Sequence, residues 1–335
     1  MTIMVLDGYP LELTQRGRLE KASDRLSIVH HEIDDQASLD AFDGSAIEVL
    51  LSDYVPTDLA GWPRLRWLQY SGAGVDALTD VAPWNRGLVV TTASGGNAVA
   101  IGEYVLGWLL HLSQQIGELL DNHRARSWAD TRLGLAGHGL RGRSLTLVGY
   151  GSVGREVARL AQTFGVRILA VKARPDDRVD AGFRWPGTGD PEGLIPERIV
   201  GVYQLGELVG QADYVLVAAP LTPASRGTLG RNVIAAMRPD AWLINVGRGD
   251  IFDEHDLIKA LREQRFAGAV LDVAWREPLE ASSPLWTMPN VIVTPHVAGL
   301  SATTWDALTE LFVQNLRRYV AGEPLLNPVD RDRGY

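Results

Sequence analysis

The sequence predicts an α/β protein built from two Rossmann-like, doubly wound domains. Three observations carry this. At 335 residues the chain exceeds what a single domain of ordinary size needs. Short apolar runs alternate with polar or helical stretches along both halves, the pattern of parallel sheets with crossover helices. A glycine motif, GYGSVG at 149–154, lies between an apolar run and an amphipathic one, where a dinucleotide loop belongs.

The first hundred residues offer candidate strands at Thr2–Leu6, Leu26–His30, Glu48–Leu51, Leu65–Tyr70 and Leu88–Thr92. From Asn97 to Leu112, NAVAIGEYVLGWLLHL reads as a long, largely buried helix. A polar, arginine-containing segment (122–132) and a glycine-rich loop follow. The second series begins at Ser144, with strands expected at 144–148, 166–171, 213–218, 241–245, 268–272 and 291–294. Helices are expected between them at about 152–164, 231–237 and 253–264. Residues 174–203 are rich in Pro and Gly and read as a long surface excursion, a kind that is often functional or mobile. A final helix, 302–320, sets Trp305, Leu308, Leu311, Phe312, Leu316 and Tyr319 on one face. That face either returns to cover the first domain, making it discontinuous, or caps the second.

Two G-x-G-x-x-G matches occur, GHGLRG at 137–142 and GYGSVG at 149–154. With 35 glycines in the chain, chance alone supplies about 0.4 such matches, so context must decide. GHGLRG has no strand before it and no helix after it, and reads as a connecting loop. GYGSVG follows Ser-Leu-Thr-Leu-Val and opens a segment in which Val153, Val157, Leu160, Ala161 and Phe164 keep helical spacing. There Gly149 would make the tight turn, Gly151 would let the backbone approach a pyrophosphate, and Gly154 would allow close helix–strand packing. With Tyr150, Ser152 and Val153 they form the candidate phosphate loop, and the helix N-terminus adds N–H groups and a favourable dipole.

Composition narrows the class. A hydrophobic fraction of 46% and a charged fraction of 22% are those of an ordinary soluble protein. The net charge of −9 argues against a nucleic-acid partner. MTIMVLDGYP lacks the basic start of a secretory signal and carries Asp7. The apolar runs are too short to span a bilayer. Without cysteine there is no disulfide or thiolate chemistry, and no cluster of His and carboxylates has metal-ligand spacing. A cytoplasmic protein without a metal is expected.

After the strand at 166–171, an NAD site normally places an acid for the adenine ribose. Here VKARPDD puts Lys172 and Arg174 in that region, and Asp176 and Asp177 only later. Cations suit a 2′-phosphate, so NADP(H) is expected over NAD(H), which stays possible. The alternative is that both cations are solvated and Asp176 reaches back to the ribose.

Three motifs follow later strands of the same series: NVGRGD around Arg248, LDVAWREPL around Glu277 and TPHVAG around His296. Strand ends of a doubly wound sheet share one edge, so the three can converge. They fit the reduction of a 2-keto acid. Arg248 offers paired donors to a carboxylate and a developing alkoxide. His296 can supply the proton, and Glu277 can orient the imidazole and favour its charged form. Singly each signal is weak; their joint order is not easily accidental.

With these motifs the chain resembles the D-isomer-specific 2-hydroxyacid dehydrogenases over nearly its whole length. The resemblance implies that Arg248 binds substrate, that Glu277 pairs with His296 and that His296 is the acid/base. It implies a discontinuous substrate domain (1–98 plus 301–335), a dinucleotide-binding domain (99–300) and a homodimer built through the helix and loop near 97–140. It also implies that the YSGAGVD stretch offers the N–H groups of Ala73 and Gly74 to the substrate carboxylate, although SGAG alone could be an ordinary turn. Pro220 and Asp272, at strand ends, join the candidate cofactor contacts. The REPL…SPLW stretch and the closing VDRDRGY look like the glyoxylate/hydroxypyruvate reductase subgroup, which favours NADPH. Tyr54, Trp275 and Trp286 either narrow the pocket towards small keto acids or belong to core or interface. The 174–203 excursion is longer than the family's usual connection. A relative acting on formate or phosphite is a weaker reading, since the formate enzymes carry Gln where Glu277 stands. A non-enzymatic dinucleotide sensor is the other, which turnover with a keto acid would exclude.

Overall fold

A computed structural model describes residues 2–78, 87–128, 132–331 and 333–334. Residues 129–131 of the expected dimerisation segment, and Asp332 and Tyr335 of the closing VDRDRGY, lie outside the described residues. In chain order the elements begin β1 (Ile3–Asp7), α1 (Leu13–Glu20), β2 (Leu26–His30), α2 (Gln36–Ala41), β3 (Val49–Ser52), β4 (Trp67–Tyr70) and β5 (Val89–Thr91). They continue with α3 (Ala98–Ser113), α4 (Ile116–Arg124), β6 (Ser144–Val148), α5 (Ser152–Thr163), β7 (Arg167–Val171), β8 (Arg198–Val200) and α6 (Leu205–Val209). The remainder are β9 (Tyr214–Val217), α7 (Arg231–Ala236), β10 (Trp242–Asn245), α8 (Glu254–Arg262), β11 (Gly268–Leu271), β12 (Val291–Val293) and α9 (Thr304–Ala321). No described helix is long and apolar enough to cross a membrane.

The chain divides into two compact units. The first comprises residues 1–97, 181–186 and 301–335. Its five strands are all parallel, in the order β2-β1-β3-β4-β5. Neighbouring residues of each strand serve opposite faces: Val5, Val49 and Leu51 enter one apolar cluster, Leu6, Leu50 and Leu68 the other. Such two-sided burial explains why these strands read as apolar runs rather than alternating ones. α9 packs on the first cluster through Leu308, Leu311, Phe312 and Leu316, with Phe312 stacked on Tyr9 at 5.0 Å.

The second unit comprises residues 98–180 and 187–300. Its seven parallel strands run β12-β11-β10-β9-β6-β7-β8. Val215 and Val217 of β9 face one core, Tyr214 and Leu216 the other. The strand order reverses between β6 and β9, and in open α/β sheets ligands bind beyond the strand ends at such a point.

Two expectations are corrected here. The 174–203 excursion is not loop throughout: Arg198–Val200 is β8, paired with β7 through Leu169–Val171. Nor is it wholly part of the second series, because residues 181–186 belong to the first unit, where Phe183 is buried in the core with Leu308 and Phe312.

Candidate active site

β6 ends at Val148, and Gly149 takes a φ of 103° that L side chains rarely adopt. A Cβ on Gly149 would stand 2.6 Å from the backbone nitrogen of Ala219, and one on Gly154 would stand 2.4 Å from the carbonyl oxygen of Gly149. Both glycines are therefore required by packing of the turn against β9 and of α5 against the turn. At Gly151 a Cβ would meet nothing within 4 Å, so here the backbone edge stays open to close approach. Gly151 is the N-cap of α5, and the first helical bond runs from the Arg155 N–H to the Gly151 carbonyl (3.0 Å). The N–H groups of 152–154 thus face out of the helix end at the β6/β9 reversal, a cradle that fits a dinucleotide pyrophosphate.

Beyond β10, Asn245 fixes the next loop, accepting from the Gly247 N–H (3.0 Å) and donating to the Arg248 carbonyl (3.1 Å). Gly249 lies so close to the Ala274–Trp275 peptide that a Cβ would come within 2.3 Å. That contact presses the Arg248 loop against the loop after β11, which carries Glu277. Arg248 itself is half-buried. Glu277 accepts from the Ala274 N–H through Oε1 (3.0 Å), and its Oε2 lies 2.7 Å from His296 Nδ1. A carboxylate only accepts, so Nδ1 carries the proton and Glu277 does not engage Nε2. The two side chains keep 48% and 39% of their surface, so the pair is reachable by a ligand.

His296 has a φ of 53°, uncommon for a residue with a Cβ. Residues 106–298 match the family described as "D-isomer specific 2-hydroxyacid dehydrogenase, NAD binding domain". The chain belongs to that family. A (S)-sulfolactate dehydrogenase of Chromohalobacter salexigens is 32% identical over 289 residues, 85% of this chain and 88% of the relative. The human glyoxylate reductase/hydroxypyruvate reductase is 29% identical over 281 residues, 82% of this chain and 81% of that protein. Among solved structures, a D-isomer specific 2-hydroxyacid dehydrogenase of Xanthobacter autotrophicus in complex with NADPH and MES superposes with a TM-score of 0.81 at 27% identity, covering 100% of this chain and 99% of that one. This D-2-hydroxyacid dehydrogenase is thus an NAD(P)-dependent oxidoreductase acting on small 2-hydroxy or 2-keto acids.

Other residues of the dehydrogenase lie less simply than their positions in the sequence suggest. Tyr150, inside the glycine motif, turns its ring into the core, and its hydroxyl donates to Asp190 Oδ2 (2.5 Å). Arg155, 2% exposed, donates to the carbonyls of Asp190 and Arg178 and lies over the Tyr150 ring at 4.8 Å. The excursion is therefore tied to the phosphate loop from beneath. Burial alone would raise the Asp190 carboxyl, but the bonds from Tyr150 and from the N–H groups of Ile195 and Leu194, with the Arg155 charge, hold it below the ordinary aspartate value. Lys172 donates its ammonium to the Asp177 carbonyl, and burial, then the Arg155 charge, lowers its pKa. Arg174 is exposed.

Asp272 is buried and accepts from Thr294 Oγ1, Val297 N and Ala298 N, so its carboxylate serves the His296 loop. Pro220 is exposed after β9, its carbonyl accepting from Ser225 Oγ (2.7 Å). Trp275 packs on the core beside α8 and donates Nε1 to the Phe252 carbonyl (3.0 Å), while Trp286 donates to Glu280 and is 49% exposed. In the first unit, Tyr54 follows β3 and donates its hydroxyl to the Asp34 carbonyl (3.0 Å), and Ala73 and Gly74 form the turn after β4. Sequence reasoning missed Tyr104, Arg155, Asp190 and Thr294. Thr294 opens the TPHVAG motif and Arg155 follows GYGSVG, whereas nothing local marks Tyr104 or Asp190.

Proposed function

We propose that the protein reduces a small 2-keto acid, of the glyoxylate or hydroxypyruvate kind, to the D-2-hydroxy acid, preferring NADP(H) to NAD(H). The observation that carries this reading is the Glu277–His296 pair at 2.7 Å, beside a loop that presents Arg248. The bound nicotinamide supplies the hydride. His296 holds a proton at Nε2 for the carbonyl oxygen, and Glu277 fixes the ring by taking the Nδ1–H. Arg248 binds the substrate carboxylate and draws charge from the carbonyl; in the first unit, the N–H groups of Ala73 and Gly74 are candidate substrate contacts. Gly149–Gly154 holds the pyrophosphate, and Arg174 favours the extra phosphate of NADP(H), while Lys172 steadies the turn through the Asp177 carbonyl.

We also propose the domain roles implied by the family: substrate binding in the first unit, dinucleotide binding in the second. Leu119 and Leu120 on α4, each 44% exposed, and Trp128, 86% exposed, support a homodimer formed through this region; light scattering on the purified protein tests it.

The assay is oxidation of NADPH and NADH with glyoxylate, hydroxypyruvate, the keto acid of sulfolactate and a bulky aromatic keto acid. Faster NADPH oxidation with glyoxylate or hydroxypyruvate is expected. Preference for either other acid overturns the substrate assignment and keeps the reaction class. NADPH binding without turnover on any of them would move the protein to a sensing role.

A further inference from the structure

His296 stands in a left-handed backbone conformation that costs a residue with a Cβ free energy, so neighbouring contacts must over-determine it. One buried carboxylate supplies most of them. Asp272 accepts from Thr294 Oγ1 at 2.7 Å and Val297 N at 3.0 Å through Oδ1, and from Ala298 N at 2.9 Å through Oδ2. Its carbonyl also accepts the His296 N–H at 2.9 Å. The donors lie on both sides of His296, so the position of Asp272 sets the position of the imidazole.

The network reaches one element further. Tyr104 of α3 places its hydroxyl 2.6 Å from Thr294 Oγ1. A threonine hydroxyl has one proton, and here it is directed to Asp272, so Tyr104 must be the donor in the second bond. The direction runs from Tyr104 to Thr294 to Asp272 Oδ1, which also accepts from Val297 N, while Oδ2 accepts from Ala298 N. Tyr104 is itself braced, its ring meeting Trp108 edge-on at 6.0 Å and 71°.

We propose that Tyr104 and Thr294 are positioning residues for proton transfer: a hydroxyl relay from α3 that fixes the His296 turn without touching substrate. The proposal rests on the reading of His296 as proton donor. Small misplacement of such a group costs rate far more than it costs binding, and a chain of hydrogen bonds acts as a unit.

The test compares Thr294→Val, Thr294→Ser and Tyr104→Phe in the full chain, with the keto acid that turns over best. Thr294→Val is expected to lower kcat about tenfold to a hundredfold, with the KM for NADPH within about twofold. Its solvent deuterium isotope effect on kcat should rise as proton delivery becomes limiting. Thr294→Ser restores most of the loss, and Tyr104→Phe, which keeps the ring packing, falls between. A merely structural role would lower the active fraction and leave the isotope effect unchanged; that result overturns the proposal. Should Thr294→Val fail to fold, Tyr104→Phe carries the same readouts. If the wild type turns over no keto acid, the functional reading fails separately, and amide exchange then decides the relay. Faster exchange at Val297 and Ala298 in the variants supports it, and unchanged exchange overturns it.

Discussion

Lys172 and Arg174 stand two residues apart after β7, and their surroundings separate them. The Lys172 ammonium is held by the Asp177 carbonyl, with its pKa lowered by burial and by Arg155, while Arg174 extends from an exposed turn. A charge-assisted contact to phosphate contributes about 1.5–3 kcal/mol. Arg174→Ala should therefore raise the KM for NADPH roughly tenfold to a hundredfold and leave the KM for NADH nearly unchanged. Lys172→Met should affect both cofactors alike, by loosening the turn. Equal losses with the two cofactors in Arg174→Ala would remove it from phosphate recognition. At this scale the sequence was informative where chemistry is bound to a strand end: Arg248, Glu277 and His296 each follow a strand, and the latter two meet at 2.7 Å. It placed Tyr150 in the phosphate loop and could not show that its ring turns into the core, because that depends on Asp190, forty residues on.

Among elements, the excursion between β7 and β8 shows how composition misleads. Pro and Gly along 174–203 suggest looseness, yet Asp190 alone gathers Tyr150 Oη and the N–H groups of Leu194 and Ile195, and Gly189 donates to the buried Glu156 at 2.7 Å. β8 was missed for a different reason: Arg-Ile-Val is an edge strand that opens on an exposed arginine and lies within the Pro- and Gly-rich stretch, so no apolar run marks it. The Asp190 carboxyl, held below its ordinary value, stabilises the fold above the unfolded aspartate pKa and loses that contribution as pH falls through the lower folded value. Asp190→Asn should accordingly cost about 1–3 kcal/mol at neutral pH, since buried donors lose a charged acceptor. The cost should shrink as the pH is taken from neutral to below the lowered folded value, where the wild-type carboxyl is protonated as well. Urea midpoints of both proteins at the two pH values decide it, and a gap that stays constant would mean that shape rather than charge holds the excursion.

For the whole molecule, the α/β class and the two parallel sheets follow from alternation of apolar runs, and the observed strands fall on eleven of those expected plus β8. What alternation could not reveal is which core a distant segment joins. Phe183 gave no local sign of packing with Val5 and Trp67, and the last helix showed an apolar face through Leu308 without deciding between the two cores it could cover, because membership of a core is decided by shape at long range. The division of the chain also sets an order in time. Everything the second unit needs has been synthesised by Leu300, but the first unit still lacks Leu308, Leu311, Phe312 and Leu316 of its core. At about 5–20 residues per second, its opening strands wait on the order of tens of seconds for their covering helix. Ribosome-bound chains stalled at increasing lengths should therefore gain protease resistance in residues 98–300 before residues 1–97. The segment made first would be the last to become safe from aggregation.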